Sequence, residues 1–272
     1  RVTPEQKKHM MAALQSRGHV VAMVGDGVND ALALKHADLG IAMGTGSAAT
    51  KAVSNLILLD GRFSSLPGVV DEGRKVIANI ERLSRLFLTK TVWAMILAAV
   101  FGALLISFPF APRQLSAIDS FTIGVPSFLL ALLPNARRYH PGFLRRALMF
   151  CVPAGVITAG SVLTVDFMIR ADGTWALAES QTAIALLLGM TGLWVLTTLS
   201  FPLSTARLGI LAGMIVMAGG VFLVPPIADF FGFAILSPAQ FLPVALAGLI
   251  ANALVTLVSR AVDLRNGQPS LR

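Results

Sequence analysis

The chain has 272 residues, 55% of them hydrophobic and 13% charged, with a net charge of +8 and one cysteine. Ordinary soluble domains carry about 25% charged residues, so a wholly water-soluble protein is excluded, as are a disordered chain, a collagen-like repeat and a disulfide scaffold. Residues 1–90 hold 20 of the 36 charged residues, so the chain reads as a water-facing head joined to a membrane tail. Cys151, being single, excludes an internal disulfide and a cysteine-based metal cage. Basic residues cluster at the ends of apolar segments, so the positive charge reads as membrane topology and not as nucleic-acid binding. The chain opens on Arg1, shows no signal peptide, and is expected to be a piece of a longer protein.

In the head, residues 4–17 read as a helix with Pro4 near its start. Residues 20–24 (Val-Val-Ala-Met-Val) form a short apolar run, as a buried parallel strand does. The run ends in Gly25-Asp-Gly-Val-Asn-Asp30, and residues 31–36 follow as a helix. Residues 38–43 read as a second strand, 47–53 as a helix and 55–60 as a third strand. Strand and helix alternate, which implies a parallel α/β sheet.

Such sheets carry their chemistry at the carboxyl ends of the strands, where Asp26, Asn29 and Asp30 fall. Two carboxylates and an amide within five residues suit a hard cation such as Mg²⁺, which prefers oxygen and keeps waters. Gly25 and Gly27 would let the backbone approach a phosphate closely. Lys7 could neutralise phosphate charge if its helix ends beside the loop. Asp-Gly is also ordinary turn chemistry, but the asparagine and second aspartate between strand and helix favour the functional reading.

In the tail, residues 91–112 are 22 residues without a formal charge, and about 20 span a bilayer as a helix. Six transmembrane helices are expected, near residues 86–108, 116–134, 147–169, 181–201, 208–225 and 239–259. Arg137, Arg138, Arg145, Arg146, Arg207, Arg260, Arg265 and Arg272 lie on one side of this arrangement. The positive-inside rule then puts the head and the C-terminus in the cytoplasm. Polar residues inside a bilayer need a reason, which singles out Lys90, Thr91, Asp119, Thr122 and Asp166. Asp119 and Thr122 are three apart, on one helix face, and Gly124 and Pro126 just beyond them are expected to break that helix and free carbonyls for an ion. Spacing alone leaves open whether Asp119 is an ion ligand or an outer-interface cap. Lys90 and Asp166 read as interfacial or snorkelling residues.

Met23-Val-Gly-Asp-Gly-Val-Asn-Asp-Ala-Leu-Ala-Leu34 resembles the hinge signature of the P-type ATPases. Arg1-Val-Thr-Pro-Glu-Gln-Lys7, Ile41-Ala-Met-Gly44, Asp60-x-x-Phe63 and Gly73-Arg74 keep that family's order around it. Six spans then follow, as in the calcium-type pumps. The resemblance implies a haloacid-dehalogenase-like α/β phosphorylation-domain portion over residues 1–72. It further implies a stalk helix over 73–90, an all-α bundle of six transmembrane helices over 86–259 and a cytoplasmic tail over 260–272. It also implies an ATP-driven cation pump of the plasma membrane, with Mg²⁺ as cofactor and the missing N-terminal part of the same pump as partner. Asp26 would bind Mg²⁺, Asn29 and Asp30 would position phosphate and loop, and Lys7 would steady the phosphoryl group.

The sequence departs from the family pattern in several places. It contains no Asp-Lys-Thr-Gly, no Thr-Gly-Glu and no Pro-Glu-Gly-Leu, so the 272 residues alone are expected to form no phosphoenzyme. Asp119-Ser-Phe-Thr122-Ile123-Gly124 resembles Asn-x-x-Thr-Asp-Gly, with Ile123 where calcium pumps place Asp. Thr91 and Ala94 fall where those pumps place an amide and a carboxylate. The transported cation is therefore Ca²⁺ by resemblance, with Mg²⁺ or Mn²⁺ open on ligand hardness, and Asp119, Thr122 and Thr91 are its candidate ligands. A membrane-anchored phosphatase of the same superfamily and a non-catalytic remnant are the alternatives.

Overall fold

The computed structural model describes residues 3–133 and 142–265. Arg137 and Arg138 of the expected inward-facing loop, and Arg272 of the tail, lie outside the described residues. The chain divides into two compact units, Arg1–Gly73 and Arg74–Arg272.

The first unit is a three-stranded parallel sheet with short helices. Helix α1 (Pro4–Gln15) opens with a capping box. Thr3 accepts from the Gln6 backbone N–H at 3.3 Å, and the Gln6 side chain takes the Thr3 N–H at 2.9 Å. Strand β1 (Ala22–Gly25) leads through a 3₁₀ turn (Val28–Asp30) into α2 (Ala31–His36). Strand β2 (Leu39–Met43), α3 (Ala48–Val53) and β3 (Leu56–Leu58) complete it. The order is β1-β2-β3, with Gly25 level with Ala42 and Met43 level with Leu58. All three strands therefore deliver their following loops to one edge. Ala33, Leu34, Ile41, Ala42 and Leu58 form the core, and each fully buried branched side chain contributes about 1.5–3 kcal/mol.

Two exposed carboxylates pin the loops. Asp38 accepts from the Val21 N–H at 2.8 Å and from Gln15 at 3.1 Å, and these bonds hold its carboxyl below the ordinary value of 3.8. Asp60 accepts from the Ser65 hydroxyl at 2.5 Å and the Arg62 N–H at 3.1 Å, with the same result. A depressed folded-state pKa contributes stability that is present above the unfolded pKa and lost as pH falls through the folded one. The contribution of these two carboxylates should thus be lost in acid, below about pH 4. Asp38→Asn combined with Asp60→Asn should flatten that dependence, read as the melting midpoint of the head against pH.

Helix α4 runs from Leu66 to Ala103 and so includes the boundary at Gly73. The second unit continues with α5 (Pro112–Asp119), a π-helical turn (Ser120–Gly124) and α6 (Val125–Leu132). It ends with α7 (Phe143–Asp172), α8 (Leu177–Leu199), α9 (Thr205–Leu223), α10 (Pro225–Phe231) and α11 (Pro238–Arg265). Among the described residues six helical stretches are long and apolar enough to cross a membrane, with α5, the π turn and α6 forming one of them. The chain is a multi-pass membrane protein, built as the expected α/β portion followed by six spanning helices. Pro225-Pro226 starts the short helix α10, because proline suits the first helical turn.

The second span is not broken at Gly124 and Pro126 as expected. It widens into the π turn and continues, with the Val125 N–H bonded to the Ser120 carbonyl five residues back. Asp166 is buried among its neighbours. Arg170 Nε donates to it at 2.6 Å, while the same guanidinium donates to the Ser107 carbonyl at 2.8 Å. Helices α7, α8 and α11 pack against one another. Small residues permit close approach between spans: a Cβ on Gly155 of α7 would stand 2.6 Å from Val92 of α4.

Candidate functional site

The capping box sets α1 so that Lys7, in its first turns, reaches the loop after β1. The start of α1 lies beside that loop, where the sequence reading pictured its end. Lys7 Nζ donates to Asp30 Oδ1 at 2.6 Å, with Asp30 13% exposed and Lys7 36% exposed. Asp26 and Asn29 are exposed at the same edge. Among the described residues no side chain is bonded to the Asp26 carboxylate; its backbone carbonyl takes the Ser47 N–H at 2.9 Å.

The two glycines of the loop differ. A Cβ on Gly25 would fall 2.6 Å from Asp30 Cβ, whereas one on Gly27 would meet nothing within 4 Å. Gly25 therefore makes room for Asp30, and Gly27 faces open space. Thr50, fully buried, supports the loop from behind. It donates to the Gly27 carbonyl at 2.9 Å and shares a 2.6 Å hydrogen bond with Ser47. Sequence reasoning missed Thr50; the signal was the Ser47-x-x-Thr50 spacing of a helix cap.

The arrangement places two carboxylates, an amide and an ammonium on one open edge. No group of three or more His, Cys, Asp or Glu converges among the described residues. A closed protein cage is thus not what this edge offers. One or two carboxylates, with waters and a substrate phosphate completing the shell, is the usual way of holding Mg²⁺, and Asp26 fits it.

The second unit has its own polar locus. The Lys90 ammonium donates to Asp119 at the end of α5. Thr122, in the π turn, is buried and lines a cavity of about 30 Å³ together with Thr89, Lys90, Thr158, Thr191 and Gly192. A Cβ on Gly192 would stand 2.7 Å from the Thr122 methyl, so the absent side chain is what admits Thr122. The structure brings Asp119 and Thr122 to this locus and leaves Thr91 exposed, its hydroxyl donated to the Phe87 carbonyl at 2.9 Å. Thr89 stands at the cavity in its place. Thr89, Thr158 and Thr191 went unread in the sequence because isolated threonines in apolar helices carry no spacing signal.

The haloacid dehalogenase-like hydrolase model matches residues 1–38. A calcium-transporting ATPase CtpE of Mycolicibacterium smegmatis is 40% identical over 275 residues, covering 95% of this chain and 34% of that protein. The same-named protein of Mycobacterium bovis is 46% identical over 224 residues, 77% of this chain and 28% of its own length. The chain belongs to the cation-transporting P-type ATPases. It spans about a third of the length of these curated relatives. A probable cation-transporting ATPase exp7 of Streptococcus pneumoniae is 39% identical over 200 residues, 71% of this chain and 26% of that protein. In this P-type ATPase chain the matched hydrolase segment contains Lys7, Asp26, Asn29 and Asp30, the residues the fold brings to one edge.

Proposed function

We propose that this chain is the part of an ATP-driven pump that holds the phosphate-site loop and six of its spans, moving a hard cation, Ca²⁺ by likeness to its relatives. The observation that carries the reading is the Lys7–Asp30 ion pair at 2.6 Å beside the open carboxylate of Asp26. Phosphoryl transfer asks for positioning and for neutralised charge more than for covalent chemistry. Lys7 supplies a positive charge toward a phosphoryl group, and Asp30 fixes where that charge sits. Asn29 offers an amide to orient phosphate oxygens. Asp26 would hold Mg²⁺, which when bound neutralises phosphate charge. The phosphorylated aspartate, which these 272 residues do not supply in an Asp-Lys-Thr-Gly motif, would come from the remainder of the pump.

Transport would run from cytoplasm to outside, with the head and the C-terminus cytoplasmic by the positive-inside rule. Helix α4 would carry motion at the phosphate site toward the membrane as one element. The test is ATP-dependent ⁴⁵Ca²⁺ uptake into vesicles holding the full-length polypeptide, with Mn²⁺ and Mg²⁺ as competitors. Uptake that needs ATP, and forms an acid-stable phosphoprotein, supports the reading; Mg²⁺-dependent ATP hydrolysis that drives uptake of none of the three cations sinks it.

A further inference from the structure

Asp119 does not stand free in the bundle. Lys90 of α4 already holds it, and both side chains are 28% exposed. Lys90 is also the one charged residue among those lining the neighbouring cavity. Beside Lys90 and the Trp93 indole the polar lining is hydroxyl, and the four hydroxyls share an orientation. Thr89 donates to the Arg85 carbonyl at 2.8 Å, Thr122 to Ile118 at 2.7 Å, Thr158 to Ala154 at 2.9 Å and Thr191 to Leu187 at 2.9 Å. Each proton is committed to the backbone of its own helix. What a hydroxyl has left is oxygen lone pairs.

The cavity is therefore a wall of acceptors contributed by four segments, α4, the π turn, α7 and α8. At about 30 Å³ it has room for one water or one stripped ion. These hydroxyl oxygens offer lone pairs to a cation. The negative charge of Asp119 is cancelled by the ammonium. A divalent ion entering while Lys90 stays in place would meet a like charge at short range in a low-dielectric site.

We infer that Lys90 is the resident cation of this locus, a tethered ammonium that a transported cation must displace from Asp119. This rests on the pump reading and adds to it a residue that sets cation affinity. The lysine stem carries its charge on four flexible carbons, so the head group can leave Asp119 without moving α4.

Removing the ammonium should tighten cation binding. The full-length polypeptide is purified in detergent as wild type, Lys90→Met, Lys90→Gln, Asp119→Asn and the Lys90→Met/Asp119→Asn double variant. Binding of ⁴⁵Ca²⁺, and separately of Mn²⁺ by its EPR signal, is measured without nucleotide, alongside the melting midpoint. Both Lys90 variants should bind roughly tenfold or more tighter. Asp119→Asn should bind more weakly, and the double variant no tighter than Asp119→Asn. A folded Lys90→Met or Lys90→Gln with unchanged or weaker binding overturns the inference. Loss of folding in both makes the pair a strut between α4 and α5, which overturns it too. A wild type that binds cation with no gain on losing Lys90 leaves the pump reading standing; a wild type and variants that bind neither ion remove both.

Discussion

Replacing Asp26 with asparagine should lower cation-stimulated ATP hydrolysis by about 10²–10³-fold, the usual consequence of removing one preorganised charge-stabilising group. The structure separates this effect from folding. Asp26 is exposed, and its carboxylate holds no described neighbour, so the amide should leave the stability of the head within about 0.5 kcal/mol, as for other surface substitutions. Lys7→Met should behave differently. It removes a phosphate-facing charge and also leaves Asp30, 13% exposed, without its 2.6 Å partner, so turnover and stability should both fall. Phosphate release at saturating ATP, read beside a thermal melt, distinguishes the two. Wild-type turnover in Asp26→Asn would take this carboxylate out of the chemistry.

A methyl group at position 25 should be nearly as damaging as the loss of a charge. Alanine there places Cβ 2.6 Å from Asp30 Cβ, nearer than carbon atoms approach. Either β1 or the 3₁₀ turn must move, and Asp30 carries the contact to Lys7 with it. Site geometry that slips by about 1 Å commonly costs 10²-fold. Gly27→Ala is the control inside the same loop. Its Cβ meets nothing within 4 Å and its φ of −97° suits alanine. The fold should be untouched by it, and any loss of turnover would report a ligand approaching that backbone. Equal melting midpoints and equal turnover in Gly25→Ala and wild type would show that the Asp30 position is immaterial.

Much of this was legible because the sequence carries strong local patterns. The apolar run at residues 20–24, ended by a glycine and an aspartate, marks the strand and its functional edge, though the strand itself is Ala22–Gly25. Helix α2 begins and ends at the residues read from the sequence, Ala31 and His36. Uncharged stretches separated by arginines gave six spans. What stayed hidden depends on contacts between distant segments. Nothing around Lys90 in the chain announces Asp119, 29 residues away, so it read as a lysine reaching for the interface. Asp166 read the same way, although its partner Arg170 lies one turn on, because a charge near a span end does not reveal whether neighbours cover it. The glycines were read as a pair, and only the position of Asp30 tells Gly25 from Gly27. Gly124 and Pro126 announced an irregular helix but not its kind: proline removes one donor, and the chain absorbed that loss by widening a turn without unwinding.

That widened turn has a consequence for how the second span ages under mutation. Ser120–Gly124 holds one residue more than a regular turn, so everything beyond it is rephased by about 100° around the axis. Deleting one residue there would shorten the span by only about 1.5 Å. It would nonetheless swing Pro126, Ser127 and Leu130, all buried, off the side they now present to the bundle. This segment should accept small changes of length at its ends and reject any change of angular register at its middle.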